Sequence, residues 1–178
     1  AVAVVVLTFQ QRHRVEVRPV DVVHSRRDCT LEPSPGSGEG FAVRMGLRYV
    51  KGVHAADIDR VEHARQLAEF GSVEDFVQRT GLGETALARL AEAGALESFV
   101  RERRDALWEV LGIEPVDPDR LRLPTEDPAA AFRPLDVMET VRWDYTYTAH
   151  SPRAHPLEAL RGELQKQRLP DAAEVRRL

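Results

Sequence analysis

Two short turns carry the residue types best suited to chemistry in this sequence: Lys51-Gly52-Val53-His54 and Thr80-Gly81-Leu82-Gly83. Each precedes a run with helical periodicity. A helix that begins in a glycine-bearing turn presents unpaired amide donors and the positive end of its dipole, so an anion can bind there without help from charged side chains. Glycine lets a ligand's oxygens come close to the backbone. The alternative reading is that Gly52, Gly81 and Gly83 only end helices or supply positive φ.

Other constellations carry less. Asp57 and Asp59 stand two apart at a helix start, where carboxylates face the dipole favourably; they do not form the acidic cluster that holds two metal ions for nucleotide transfer. His63 beside Glu62 lacks the second histidine of a zinc-protease helix, and Ser34 to Gly40 lacks the lysine of a phosphate-binding loop. Trp143, Tyr145 and Tyr147 could stack on bases, but their alternation reads rather as a partly buried strand or turn cluster. Arg101, Arg103 and Arg104 could meet phosphate, although Glu102 and Asp105 equally describe a solvated mixed face. No nucleophile, base and orienting group assemble into an autonomous active site.

The 178 residues include 25 Lys+Arg and 29 Asp+Glu, a formal charge of −4. That balance denies the whole surface an attraction for nucleic acid, so any phosphate contact must be local. Only Lys51 and Lys166 are lysines; the remaining basic residues are arginines, which grip oxyanions with two parallel bonds. The single cysteine, Cys29, makes no internal disulfide and no spacing resembles a zinc site. A cytoplasmic location is expected. The opening AVAVVVLTF is too short to span a membrane, and the Ala start points to a processed or excised piece.

The elements that must position the turns divide into four stretches. Residues 1–50 read as β-rich, with strand signals over 15–23, near Cys29 to Leu31 and from Phe41 to Tyr49, around a flexible Pro/Gly loop at 33–40. Pro19 marks an edge strand. Residues 51–112 read as four helices joined by short turns: Ser72 with Asp75 has the form of a capping box, Leu87, Leu90, Ala91 and Gly94 make one buried face, and Val100, Arg104, Leu107, Trp108 and Leu111 make another. Residues 113–135, with Pro115, Pro118, Pro124, Pro128 and Pro134, read as an extended linker. Residues 136–178 contain one amphipathic helix, with Leu157, Leu160 and Leu164 following Pro156 and a stop at Pro170. The class is α+β, mainly α.

The two glycine turns, each followed by an amphipathic helix, match the layout of a tandem helix-hairpin-helix module. Six ordered blocks carry a more specific resemblance: VEVRPVDV, CTLEP, MGLRYVKGV, SVEDFVQRTGL, ALARLAEAGALES and RRDALWEVLG. From Val15 to Gly112 the chain resembles the region after the palm of bacterial C-family DNA polymerases (polymerase III alpha-like), most of all their error-prone branch. Asp144-Tyr145, His155-Pro156-Leu157 and Leu160-Arg161 resemble the segment leading to that family's oligonucleotide-binding barrel. The opening AVAVVVLTFQQ departs from the family, and residues 1–11 are expected to be a foreign or out-of-frame end.

The resemblance implies that Lys51, Gly52, Val53 and His54 mark a first DNA-backbone hairpin and Gly81, Leu82 and Gly83 a second. His54 stands where the family usually has glycine, which bears on how closely phosphate approaches there. Implied as well are duplex DNA, the remaining polymerase domains and accessory translesion factors as partners, no membrane, and roles in translesion synthesis and repair. The chain itself would hold no cofactor; Mg2+ belongs to the parent nucleotidyltransferase, whose catalytic carboxylates have no match here. The implied function is a non-catalytic, duplex-gripping segment of an error-prone DNA polymerase. The alternative is a protein-interaction or scaffold module without direct DNA contact, which the negative charge favours.

Overall fold

A computed structural model describes residues 15–35, 40–113, 132–154, 156–170 and 175–176. The reading of residues 1–11, the centre of the Pro/Gly loop and most of the 113–135 linker lie outside them.

The apolar stretches near the start form a three-stranded sheet of β1 (Glu16–Arg18), β2 (Thr30–Pro33) and β3 (Phe41–Arg44), in the order β1-β3-β2. β3 is central, parallel to β1 with Val17 opposite Val43, and antiparallel to β2 with Leu31 opposite Val43. β1 ends at Pro19, which has no N–H to continue the ladder. A charge ladder crosses the sheet: Arg44 donates to both carboxylate oxygens of Glu32, at 2.9 and 3.0 Å, and Arg18 donates to Glu32 at 2.7 Å. These bonds, those from Arg44 foremost, hold the Glu32 carboxyl down at about 2.

Where strand periodicity over 41–49 predicts a longer strand, the structure turns at Gly46 into a single 3-10 turn, Leu47–Tyr49. The reason is steric. A Cβ at Gly46 would lie 2.4 Å from the Arg27 carbonyl oxygen, so only glycine admits this crossing of the chain.

Four helices follow, as the periodicity predicts: α1 (Ala55–Leu67), α2 (Val73–Thr80), α3 (Glu84–Glu92) and α4 (Arg103–Gly112). Ser72 caps α2 by accepting from Asp75 N–H at 3.1 Å, while Asp75 reaches past Ser72 to accept from Gly71 N–H at 3.0 Å. α3 buries Ala86, Leu87, Leu90 and Ala91. The sheet and the helices share one core, in which Met45 and Leu47 join Val61, Val73, Phe76, Leu90 and Leu96. Residue 50 is therefore no boundary in the packing. Arg65 reinforces the join by donating to the carbonyls of Val22, Val23 and Ser25 at 2.9–3.0 Å.

α4 buries Arg103, Ala106 and Val110, leaving Trp108 and Leu111 about half exposed. The expected seam of Val100, Arg104, Leu107, Trp108 and Leu111 is thus rotated. A buried guanidinium is the cause: Arg103 Nη2 meets Asp144 Oδ1 at 2.5 Å, and both side chains are almost wholly enclosed.

Among the described residues beyond 136 stand two helices instead of the one expected: α5 (Val137–Thr148) and α6 (Pro156–Lys166). The Trp143-Tyr145-Tyr147 alternation is helical, with Trp143 and Tyr147 one turn apart and edge to face at 5.9 Å between centroids. A reciprocal capping box starts α5. Asp136 Oδ1 accepts from Glu139 N–H at 2.8 Å, and Glu139 Oε2 accepts from Asp136 N–H at 3.0 Å. The second bond, with Arg104 and Arg133 alongside, keeps the Glu139 carboxyl below its ordinary range. The mainly α, α+β class holds.

Candidate nucleic-acid interface

The two turns are related by an internal repeat. Gly52, Val53, Ile58, Arg60 and Val61 recur at one offset as Gly81, Leu82, Leu87, Arg89 and Leu90. In space the repeat is a pair of helix–turn–helix units braced against each other. Arg60, on the helix after the first turn, donates to the Gly81 carbonyl in the second at 3.0 Å. Its counterpart Arg89 lies across the first turn, where a Cβ on Gly52 would stand 3.1 Å from Arg89 Cγ. Neither arginine stands out by type or spacing until the two halves are aligned.

At the second hairpin Gly81 ends α2 in the left-handed region at φ +57, donating back to the Val77 carbonyl at 3.0 Å. Leu82 is buried and anchors the bend, while Gly81 and Gly83 are exposed. Gly83, extended at φ −72, caps α3, and a Cβ placed on it would meet open space. Among the described residues the amides of Gly83, Glu84 and Thr85 find no acceptor. They point out of the first turn of a nine-residue helix. Glu84, in that same turn, faces the helix dipole favourably and sets a carboxylate against an incoming anion. The hairpin itself borders a cleft of about 490 Å³, where Gly81, Gly83, Glu84 and Gln78 meet an apolar wall of Leu82, Leu87, Val110 and Ile113.

The first hairpin has the same bend and different occupancy. Gly52 is left-handed at φ +85, and Val53 packs against the core. His54 is exposed, and its N–H donates to Asp57 Oδ2 at 3.0 Å, so a carboxylate already occupies that amide. The residue matching Asp57 in the repeat is Ala86. Lys51 is turned toward α5: its N–H donates to the Tyr147 carbonyl at 2.8 Å, and Nζ donates to the Tyr145 and Thr146 carbonyls at 3.2 and 2.8 Å. Arg89 stands over the Tyr147 ring at 5.3 Å, and Tyr147 Oη donates to Glu92 at 2.8 Å. Burial and the Glu92 carboxylate raise the Tyr147 phenol above its ordinary value.

The structure therefore brings Gly81, Leu82 and Gly83 together around a set of free amides, and gives Lys51 and His54 partners within the protein. The three arginines near residue 103 separate. Arg103 is buried on Asp144, Arg104 serves Glu139 and the Arg133 carbonyl, and Arg101 is exposed. Among the described residues no group of three or more His, Cys, Asp or Glu side chains could hold a metal ion, and no helix is long and apolar enough to cross a membrane.

Paired, mutually braced bends of this kind define a helix-hairpin-helix protein. The sequence profile of the helix-hairpin-helix motif matches residues 14–106, and the chain belongs to that family. Its relatives narrow the class. The chain is 39% identical over 176 residues to error-prone DNA polymerase 2 of Rhizobium meliloti, covering 93% of this chain and 16% of that protein. It is 39% identical over 160 residues to the error-prone DNA polymerase of Pseudomonas savastanoi, covering 89% and 16%. It is 40% identical over 184 residues to error-prone DNA polymerase 1 of Agrobacterium fabrum, covering 93% and 17%. The likeness to the error-prone branch of the C-family polymerases runs along nearly the whole chain, and the chain spans about a sixth of the length of these relatives.

Proposed function

We propose that this chain is a non-catalytic segment of an error-prone DNA polymerase that grips the duplex backbone, chiefly through the second hairpin. The observation that carries this reading is the row of exposed amides at Gly83, Glu84 and Thr85, without acceptors among the described residues, at the start of α3. Phosphate oxygens satisfy such donors and align with the helix dipole. Backbone contacts of this type position a duplex and do not read its sequence. DNA synthesis across lesions, its Mg2+ and its cytoplasmic setting belong to the whole polymerase; this segment would steady the duplex for it.

Titration of a labelled duplex across a salt series tests the reading. Each neutralised phosphate contributes roughly −0.9 to the slope of log K against log salt. Binding with a negative slope and little sequence preference is expected; affinity that does not change with salt rejects the phosphate grip. The scaffold reading draws on the first hairpin, where the Lys51 ammonium and the His54 amide are engaged within the protein itself. It predicts that the same duplex does not bind at all.

A further inference from the structure

We infer that the two hairpins have divided their work, and that the first is a receptor for a helix C-terminus, holding α5 through Lys51, whose ammonium would otherwise face phosphate. The last carbonyls of a helix carry partial negative charge and lack intrahelical donors. They are thus a protein substitute for phosphate oxygens. Three consecutive carbonyls, of Tyr145, Thr146 and Tyr147, meet the N–H and ammonium of one residue, Lys51. This is the end of α5, where Ala149 turns left-handed at φ 61. Asp57 takes the His54 amide and sets a carboxylate against anions at that hairpin, leaving in the first turn of α1 only the Ala55 and Ala56 amides without an acceptor among the described residues. At the repeat-related positions of the second hairpin stand Thr80 and Ala86, which can do neither. The asymmetry therefore lies in two side chains, Lys51 and Asp57, on an otherwise matching backbone. Its outcome is that the first hairpin joins the Arg103–Asp144 pair in fixing where α5 sits on the module, leaving the DNA-backbone contact chiefly to the second.

The docking half of this inference stands on geometry alone; the division of labour rests on the proposed DNA reading, and two variants of the full chain separate them. Lys51 is exposed, so Lys51→Met leaves the core intact, which circular dichroism verifies. Loss of its charge-assisted bonds should speed amide hydrogen exchange over 137–148 by about fivefold or more. The same variant should leave the salt slope of duplex binding unchanged. Gly83→Val should do the reverse, weakening duplex binding about tenfold while exchange in α5 stays as it was. Unaltered α5 exchange in Lys51→Met overturns the docking role. A salt slope shallower by about one in Lys51→Met overturns the division of labour. Undiminished duplex binding by Gly83→Val, with the Lys51→Met exchange result intact, removes the DNA reading and leaves the docking receptor standing.

Discussion

Arg103 and Asp144 face each other at 2.5 Å with both side chains about 4% exposed or less, and through them α5 is fastened to α4. Asp144 is satisfied on its other side as well, since Ser151 Oγ donates to Oδ2 at 2.7 Å. A buried pair with this many partners is costly to break from one side only, because the survivor stays enclosed and charged.

Asp144→Ala should therefore destabilise the protein by about 3–5 kcal/mol. The double substitution Arg103→Met with Asp144→Leu should recover most of the loss, since it removes both charges. Urea unfolding of the three proteins measures both effects, and equal stability of single and double variants contradicts the argument.

Gly46→Ala should cost about 1–3 kcal/mol, the usual range for overpacking. The position has ordinary φ, so the penalty comes only from the clash of the new methyl with the Arg27 and Asp28 backbone. Thermal unfolding reports it.

The glycines of the second hairpin should differ in what their replacement costs. Gly81 occupies the left-handed region, so Gly81→Val should lose about 1–2 kcal/mol from backbone strain. Gly83 is extended and unobstructed, so valine there meets no clash and should cost only the poorer N-cap, about 0.5–1 kcal/mol. Parallel urea curves distinguish them.

The sheet should weaken in acid through Glu32. Its folded carboxyl sits at about 2, below the ordinary 4.5, so the unfolded chain binds its proton first. Its stabilising contribution is complete above about 4.5 and disappears as pH falls toward 2. Glu32→Gln should accordingly be less stable than the parent at pH 7, with the gap closing in acid.

His150 should act in a higher window. Burial pushes its imidazole below the ordinary 6.5, with only partial compensation from the Thr148 carbonyl 2.7 Å away. The folded state favours the neutral ring, so its contribution is full above 6.5 and lost as pH drops below that value. An NMR titration of the ring should show a midpoint below 6.5.

Much of this architecture is legible in the residues themselves. Pro19 ends β1, Ser72 starts α2, and Leu87, Leu90 and Ala91 face inward as their spacing requires. The bends at Gly52 and Gly81 are visible as glycines before amphipathic runs. What escapes notice depends on distant partners. Arg103 has the composition of a surface residue and is buried only because Asp144, far along the chain, comes to meet it. The α5 start was available in the Asp136-Val137-Met138-Glu139 capping box, a local signal that the aromatic alternation obscures. The occupancy of the first hairpin has no local signal, because Lys51 is filled by carbonyls of a helix that periodicity does not predict.

Because Arg60 steadies the bend at Gly81 while Arg89 covers the bend at Gly52, each half of the repeat leans on the other. Severing the chain between α1 and α2 would strip each corner of its keystone, so the pair should melt in one step.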